Sequence, residues 1–420
     1  MCGEKLLFNL NKMSQSELHR VPYAFSKSGL LPREEMLEVD SQKRRLVIGI
    51  PKEKCDDEYR IPLTPQGVEL ITQAGHAVFI QQGASINANY NDFDYSEAGA
   101  QIVKSIEDVY QADIILKVMA PSEEEINLFR PDQLLISQMD VHSQSKELLR
   151  KLMDKKVCAI GYEALQDGMG NFPILRVMSE IEGYVAIMVA SEYLSVAHNG
   201  KGVLFGGITG ISPTEIVILG AGTAGEFAAR ASLGLGATVK IFDNSYNNLR
   251  EVERNLGQRV FTSVLHPQAV TKALKSADVV LGCLHYSPHK GKPYIITEEQ
   301  ISQMKRGSIV IDLSITLGGS FETSVCTSIK NPSYFAKGVL HYCVPNIASQ
   351  VSRTSTIALS NIFAPMLLKL ADSGGFSQLI KEDLGICQGV YLYKGILTNR
   401  RLAHRFDLPY SNIDLLMAAF

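Results

Sequence analysis

Glu215-Ile-Val-Ile-Leu-Gly-Ala-Gly-Thr-Ala-Gly225, followed by a small-residue helix pattern and then Val239-Lys-Ile-Phe-Asp243, decides the fold of this 420-residue chain. It reads as a buried strand, a tight glycine turn, a helix start and a second strand ending on a carboxylate. Gly220 permits the turn, Gly222 has no side chain to keep a pyrophosphate off the backbone, and Gly225 lets the helix pack on the strand. The helix beginning at Thr223 and Ala224 offers unpaired N–H groups and a positive dipole end to phosphates. Asp243 lies 23 residues beyond Gly220, where a carboxylate can accept both hydroxyls of an adenosine ribose. The constellation points to a dinucleotide, and Asp243 favours NAD over NADP because it would repel a 2′-phosphate. Its neighbours Asn244 and Ser245 supply no cation. Arg250 either reaches back from the following helix or remains a solvated helix charge.

Outward from that stretch, apolar runs alternate with helical periodicity. Leu46-Val-Ile-Gly-Ile50, Ala77-Val-Phe-Ile80, Asp113-Ile-Ile-Leu-Lys117, Leu134-Leu-Ile-Ser137 and Val157-Cys-Ala-Ile160 are strands of one α/β unit, with a helix over residues 64–74. Val239 to Asp243, Asp278-Val-Val-Leu-Gly282, Ser308-Ile-Val-Ile-Asp312 and Gly338-Val-Leu-His-Tyr342 belong to a second. Residues 178–198 read as a long helix that bridges the units and lines the cleft between them. Residues 354–371 read as a similar helix, and the tail from Gly374 is too short for its own sheet and folds back on the first unit.

Composition fits an intracellular enzyme. A chain of 420 residues exceeds what one core usually serves, which predicts two domains. The net charge of −3, with no basic run or aromatic platform, gives no sign of a nucleic-acid partner. No apolar stretch reaches the ~18 residues of a membrane helix, and residues 1–45 are too polar for a signal peptide, so a cytoplasmic location is expected. Seven cysteines, odd in number and without a C-x-x-C pair, imply neither a zinc site nor a disulfide framework and read as mostly buried free thiols. No metal-ligand spacing is present. His76, His285 and His289 read as surface or loop histidines.

Gly49-Ile-Pro-Lys-Glu-Lys, Tyr59-Arg60-Ile-Pro-Leu-Thr-Pro, Ile115-Leu-Lys-Val-Met-Ala-Pro121, Met178-Ser-Glu180, Gly206-Gly-Ile-Thr-Gly-Ile-Ser-Pro213, the glycine turn, Gly318-Gly-Ser-Phe-Glu322 and Tyr342-Cys-Val-Pro-Asn346 occur in this order. Together they resemble the alanine dehydrogenase family, which shares its fold with the NAD-binding α subunit of the proton-translocating transhydrogenase. The resemblance spans roughly residues 45–410. It implies two Rossmann-like α/β domains with a cleft between them: an NAD domain at 175–349 inserted in a discontinuous substrate domain of 45–174 plus 350–420, after an N-terminal extension of 1–44. It also implies a homo-oligomer. The family removes hydride from the Cα of alanine to NAD, leaving an imine that water opens to pyruvate and ammonia.

Four side chains normally carry that reaction: an arginine and a lysine on the substrate, a histidine as acid and base, and an aspartate across the cleft. Arg60, in an "R-x-x-x-T-P" setting, matches the arginine and can hold a carboxylate bidentately; the alternative is a surface ion pair with Asp56, Asp57 or Glu58. The other three positions depart. The family's "KVKEP" stands here as Lys117-Val-Met-Ala-Pro121, which puts Met119 at the lysine. Equal spacing puts Asp140 at the histidine, and "DIAIDQGG" stands as Asp312-Leu-Ser-Ile-Thr-Leu-Gly-Gly319, which puts Thr316 at the aspartate. Asp140 and His142 are two apart and share a face on an extended segment, so His142 is a candidate general base, or the two are a polar pair at a strand end. Lys117 is retained but not assigned to substrate. Ser179 matches a family residue near the cofactor, or is a helix cap; Asn346 matches an asparagine close to the nicotinamide, or is a turn residue. The readings that follow are an amino-acid dehydrogenase with a rearranged pocket for a small amino-acid or 2-oxo-acid substrate, a transhydrogenase α-like component ("KVMAP" resembles its "KVNAP"), and an NAD-binding protein without turnover.

Overall fold

The computed structural model describes residues 45–139, 144–284 and 295–419. Two sheets organise them. The first contains β1 (Val47–Ile50), β2 (Ala77–Gln81), β3 (Gln101–Val103), β4 (Ile114–Leu116), β5 (Leu134–Ser137) and β6 (Cys158–Gly161). The second contains β7 (Glu215–Leu219), β8 (Thr238–Phe242), β9 (Phe261–Ser263), β10 (Val279–Gly282), β11 (Ile309–Asp312), β12 (Ser333–Ala336) and β13 (Val339–Tyr342). The tail supplies β14 (Val390–Tyr393) and β15 (Ile396–Leu397), which extend the first sheet antiparallel beyond β6. Strands such as β4, β5, β10 and β11 are buried along their whole length, as parallel strands covered on both faces must be.

The two sheets repeat one topology. The first runs β15-β14-β6-β5-β4-β1-β2-β3 and the second β12-β13-β11-β10-β7-β8-β9. In each, the chain starts in the middle, moves to one side, then returns to continue on the other. The reversal falls between β1 and β4 in the first sheet and between β7 and β10 in the second. At such a switch point the loops leave in opposite directions and open a crevice beyond the strand ends. The loops after β1 and β4 carry Arg60 and Met119; the loop after β7 is the glycine turn.

A long helix, Pro173–Leu194, serves both cores. Ile174 and Met178 pack with the first sheet, whereas Val185, Ala186, Ile187, Val189 and Ala190 pack with the second. This bridging helix crosses the helix after the glycine turn, Thr223–Gly234, at Gly183. A β-carbon there would collide with Ala224 O and come within 2.9 Å of Ala228 N. A second long helix, Ser352–Asp372, returns the chain to the first core through Leu359, Phe363, Ala364 and Leu367. Length and composition alone would let residues 347–372 cross a membrane, but half of the apolar window is buried inside the protein.

Several details differ from the sequence reading. The bridging helix starts at Pro173 rather than 178, because a proline at the first helical position costs no hydrogen bond. Edge strands β3, β9 and β12, of three or four residues, carry too little periodicity to be read from sequence. The helix expected over 64–74 spans Pro65–Gln73, with the Thr64 side chain accepting from Gly67 N. Of the six described cysteines, Cys158, Cys343 and Cys387 are buried, while Cys55 and Cys326 are exposed.

Gly183→Val is expected to destabilise the chain by at least about 1–3 kcal/mol, since neither backbone at the crossing can yield. Thermal unfolding would show a clear fall in Tm.

Candidate active-site cleft

The glycine turn has the form a dinucleotide requires. Gly220 has φ +115°, and a β-carbon on it would lie 2.6 Å from Cys283 O. A β-carbon on Gly225 would collide with Gly220 O. Gly222 is different: its backbone is extended and nothing lies within 4 Å of where its β-carbon would be. Gly220 and Gly225 are required by the protein's own packing, whereas Gly222 faces open space. The helix that follows, with Thr223 and Ala224 in its first turn, has no side-chain cap. Asp243 is buried beside the turn, with Oδ2 accepting from Ala221 N (2.7 Å) and Oδ1 from Ser245 N (2.7 Å). Each carboxylate oxygen keeps a second lone pair, so the residue can still accept ribose hydroxyls. These residues fit an NAD-type cofactor: open space above Gly222, free N–H groups at the helix start, and a carboxylate beside them. Arg250 is exposed on helix Tyr246–Leu256.

A cleft of about 340 Å³ is lined by Arg60, Met119, Gln138, Tyr162, Glu163, Met178, Glu182, Thr316 and Asn346, among others. Arg60 is buried. Its Nε and Nη2 each donate to one oxygen of Glu58 at 2.7 Å, and its own N–H donates to Glu58 Oε1 at 2.9 Å. The ion pair weighed from sequence therefore exists, but inside the cleft rather than on the surface. Burial works against the guanidinium charge, and the Glu58 carboxylate outweighs it, holding Arg60 protonated. Nη1 is left toward Met178, whose Sδ lies at 3.3 Å. Glu58 Oε2 also accepts from Asn346 Nδ2 at 2.6 Å.

The loop that carries Arg60 is held by the return helix and by the short 3-10 turn before it, Ile347–Val351. Tyr59 N donates to Ser349 Oγ (2.8 Å), Ile61 N to Thr356 Oγ1 (3.1 Å) and Thr64 N to Ser360 Oγ (3.1 Å). Asn346 is both cleft-lining and a turn residue, with φ +57°, which an asparagine tolerates. Ser179 is not a cap, because the helix begins six residues earlier; it sits partly buried in the helix interior.

Lys117 is structural. Its Nζ is buried between Glu125 Oε1 (2.8 Å) and Glu53 Oε2 (3.2 Å). Burial raises the Glu53 carboxyl; Lys117 holds Glu125 low against the same cost. Glu53 Oε1 also accepts from Val118 N at 2.7 Å, which holds the strand end that presents Met119. Met119 and Thr316 both line the cleft, so two of the three departures from the family pattern fall there. Asp140 and His142 lie outside the described residues, as do His285 and His289. Among the described residues no group of His, Cys, Asp and Glu side chains could hold a metal ion.

Residues 49–182 match the family described as "Alanine dehydrogenase/PNT, N-terminal domain", and residues 186–400 match "Alanine dehydrogenase/PNT, C-terminal domain". The chain belongs to the alanine dehydrogenase/PNT family. Within that family it is 37% identical over 368 residues to "Alanine dehydrogenase" of Methanococcus maripaludis, covering 87% of this chain and 98% of that protein. It is 36% identical to "Alanine dehydrogenase 2" of Staphylococcus aureus over the same shares. Among solved structures, an L-alanine dehydrogenase superposes with a TM-score of 0.80 at 34% identity, covering 86% of this chain and 99% of that one. A transhydrogenase from Sinorhizobium meliloti shares the fold, with a TM-score of 0.71 at 22% identity and coverage of 84% and 99%.

Sequence reasoning missed three cleft groups, Tyr162, Glu163 and Glu182, and named Glu58 only as one of three surface partners for Arg60. Tyr162 donates to Val118 O at 2.7 Å, and Glu163 Oε2 accepts from Met139 N at 3.1 Å. Glu182 carried a usable sign, lying four residues after Met178 on a helix already read as cleft-lining.

Gly222→Val is expected to abolish dinucleotide binding while leaving Tm nearly unchanged, because the added side chain enters open space. Unchanged NAD affinity by calorimetry in the folded variant would make the turn structural only.

Proposed function

We propose that this protein is an NAD-dependent amino-acid dehydrogenase acting on L-alanine or a similar small L-amino acid, yielding the 2-oxo acid and ammonia. The observation that carries it is a charge-held arginine, Arg60, lining a small cleft to which the loops after β11 and β13 of the second sheet add Thr316 and Asn346. Support comes from family membership, from Nη1 of Arg60 lying toward the cleft, and from a cleft volume suited to a small zwitterion. The substrate side is assigned to 45–174 plus 350–420 and the NAD side to 175–349, with 1–44 as an extension. Gly220, Gly222, Thr223, Ala224, Gly225 and Asp243 hold the dinucleotide, with Ser179 and Asn346 toward its nicotinamide end. When bound, NAD supplies the two-electron acceptor. The working enzyme is read as a cytoplasmic homo-oligomer.

Arg60 is oriented by Glu58, which fills two of its donor positions and leaves Nη1 for a substrate carboxylate. Asn346 shares Glu58 and so ties the arginine to the NAD side. Asp140 and His142 remain the acid–base pair proposed from sequence. Met119 and Thr316 favour a second reading, an NAD-binding protein without turnover, or a transhydrogenase α-like component, since a methionine cannot polarise a substrate carbonyl. A screen for NADH formation across small L-amino acids, run beside an NAD-binding titration, tests this: turnover supports the dehydrogenase, and binding without turnover overturns it.

Two further outcomes are expected. NAD should bind at least ~10-fold more tightly than NADP, because a 2′-phosphate would meet the buried Asp243 carboxylate; equal affinities by calorimetry would remove that assignment. Arg60→Met should lower kcat/KM by about 30- to 1000-fold, or about 2–4 kcal/mol. It also strands Glu58 in a buried site, so pairing it with Glu58→Gln should recover stability without recovering activity.

A further inference from the structure

Glu182 stands one helical turn beyond Met178, on the same face of the bridging helix, and both line the cleft. It lies within electrostatic reach of the Arg60 guanidinium on one side. On the other side its charge reaches Cys283, whose Sγ lies 3.4 Å from Gly220 O in the glycine turn. The next residue, Gly183, is where the bridging helix touches the glycine-turn helix. The Glu182 carboxyl is thus flanked by the arginine that would anchor a substrate carboxylate and the turn that would carry a dinucleotide.

Among the described residues, the other carboxylates in or beside the cleft are committed. Glu58 is held by Arg60 and Asn346, and Glu163 accepts from the Met139 backbone. Glu182, partly buried, has no hydrogen bond or ion pair among the described residues. A zwitterion whose carboxylate sits on Arg60 needs an anion for its ammonium, and among the described residues Glu182 is the carboxyl that can supply one.

Resting on the amino-acid reading of this cleft, we propose that Glu182 binds the ammonium group of the substrate and accepts its proton, which leaves to Asp140 and His142 the acid–base work of the step in which water enters. The N–H bond breaks and the proton moves to Oε of Glu182, leaving a lone pair on nitrogen. That pair forms the C=N bond as the Cα–H bond breaks, its two electrons passing to the dinucleotide as oxidant. Water adds to the iminium carbon, the C–N bond breaks, and the 2-oxo acid and ammonium leave. The proton held by Glu182 is the one released to solvent in each turnover. Selectivity follows from the same contact: ligands with a 2-ammonium group are held better than carboxylates without one.

The protonation of Glu182 suits this exchange. Burial raises its carboxyl to about 7, with Arg60 opposing the rise. The described charged and titratable groups facing it are Arg60 with Glu58, Tyr162 with Glu163, and Cys283. Burial pushes Tyr162 and Cys283 far above neutrality, and Arg60 stays protonated, so none of these three titrates near pH 7. The anion needed to bind an ammonium is present above the raised value and is lost as pH falls through it.

The test uses the full chain saturated with NADH, titrated calorimetrically with L-alanine and with propionate, which lacks the amine, at pH 6 and pH 8.5. L-Alanine affinity should rise about 10-fold between the two pH values, as the deprotonated fraction of a group with that pKa does. Propionate should show no such rise. Glu182→Gln should remove the pH dependence, weaken L-alanine about 10-fold at pH 8.5, and leave propionate as tight or tighter, with NADH fluorescence confirming a folded, loaded variant. An L-alanine preference that keeps its pH dependence in Glu182→Gln overturns the role of Glu182 alone. Failure of the NADH-loaded native chain to bind either compound overturns the amino-acid reading, and the proposal with it.

Discussion

The contact at Gly183 governs how this protein brings two crevices together. One residue without a β-carbon lets the bridging helix lie directly on the backbone of the glycine-turn helix. Each sheet alone would open a crevice at its own switch point, and neither would hold a complete site. The crossing brings the helix that lines the substrate cleft onto the first turns of the helix that would carry phosphates. Because the upstream half of the bridging helix is buried in one core and the downstream half in the other, a shift of this helix would disturb both.

Buried charge is the second organising element, and it is handled differently on the two loops of the first sheet. Arg60 and Glu58 form a forked pair in which all but one edge of the guanidinium is committed, so the arginine is oriented before any ligand arrives. Such a pair is poor stabilisation relative to apolar packing, because desolvation offsets much of the attraction. Its use is positional. Lys117, by contrast, spends its ammonium on Glu53 and Glu125 and presents nothing to the cleft. Two retained cations thus have opposite placements, one lining the cleft and one internal.

Those assignments separate what was legible in the chain from what was not. The glycine turn, its flanking strands and Asp243 could be read directly, since each is a local consequence of backbone geometry over some thirty residues. The long helices were legible too, although Pro173 moved the start of one and turned Ser179 from a cap into an interior residue. The fork between Arg60 and Glu58 was weighed among three acidic neighbours, but its burial depends on the return helix, nearly 300 residues later, whose hydroxyls hold that loop. Glu163 and Glu182 left almost no trace because an acid on a strand-end loop or a helix looks like solvent-facing charge until its surroundings are known.

By itself the sequence determined the two α/β units and the dinucleotide turn, which follow from short-range periodicity and spacing, and its resemblance to the family marked the departures at Met119 and Thr316. Only the tertiary structure decided that Lys117 is internal, that Arg60 is forked to Glu58 inside the cleft, and that Glu182 lines the same cleft as the arginine. The physical reason is desolvation. Whether a charge is paired, stranded or available depends on which distant surfaces exclude water from it, and that is set when the helices close over both sheets.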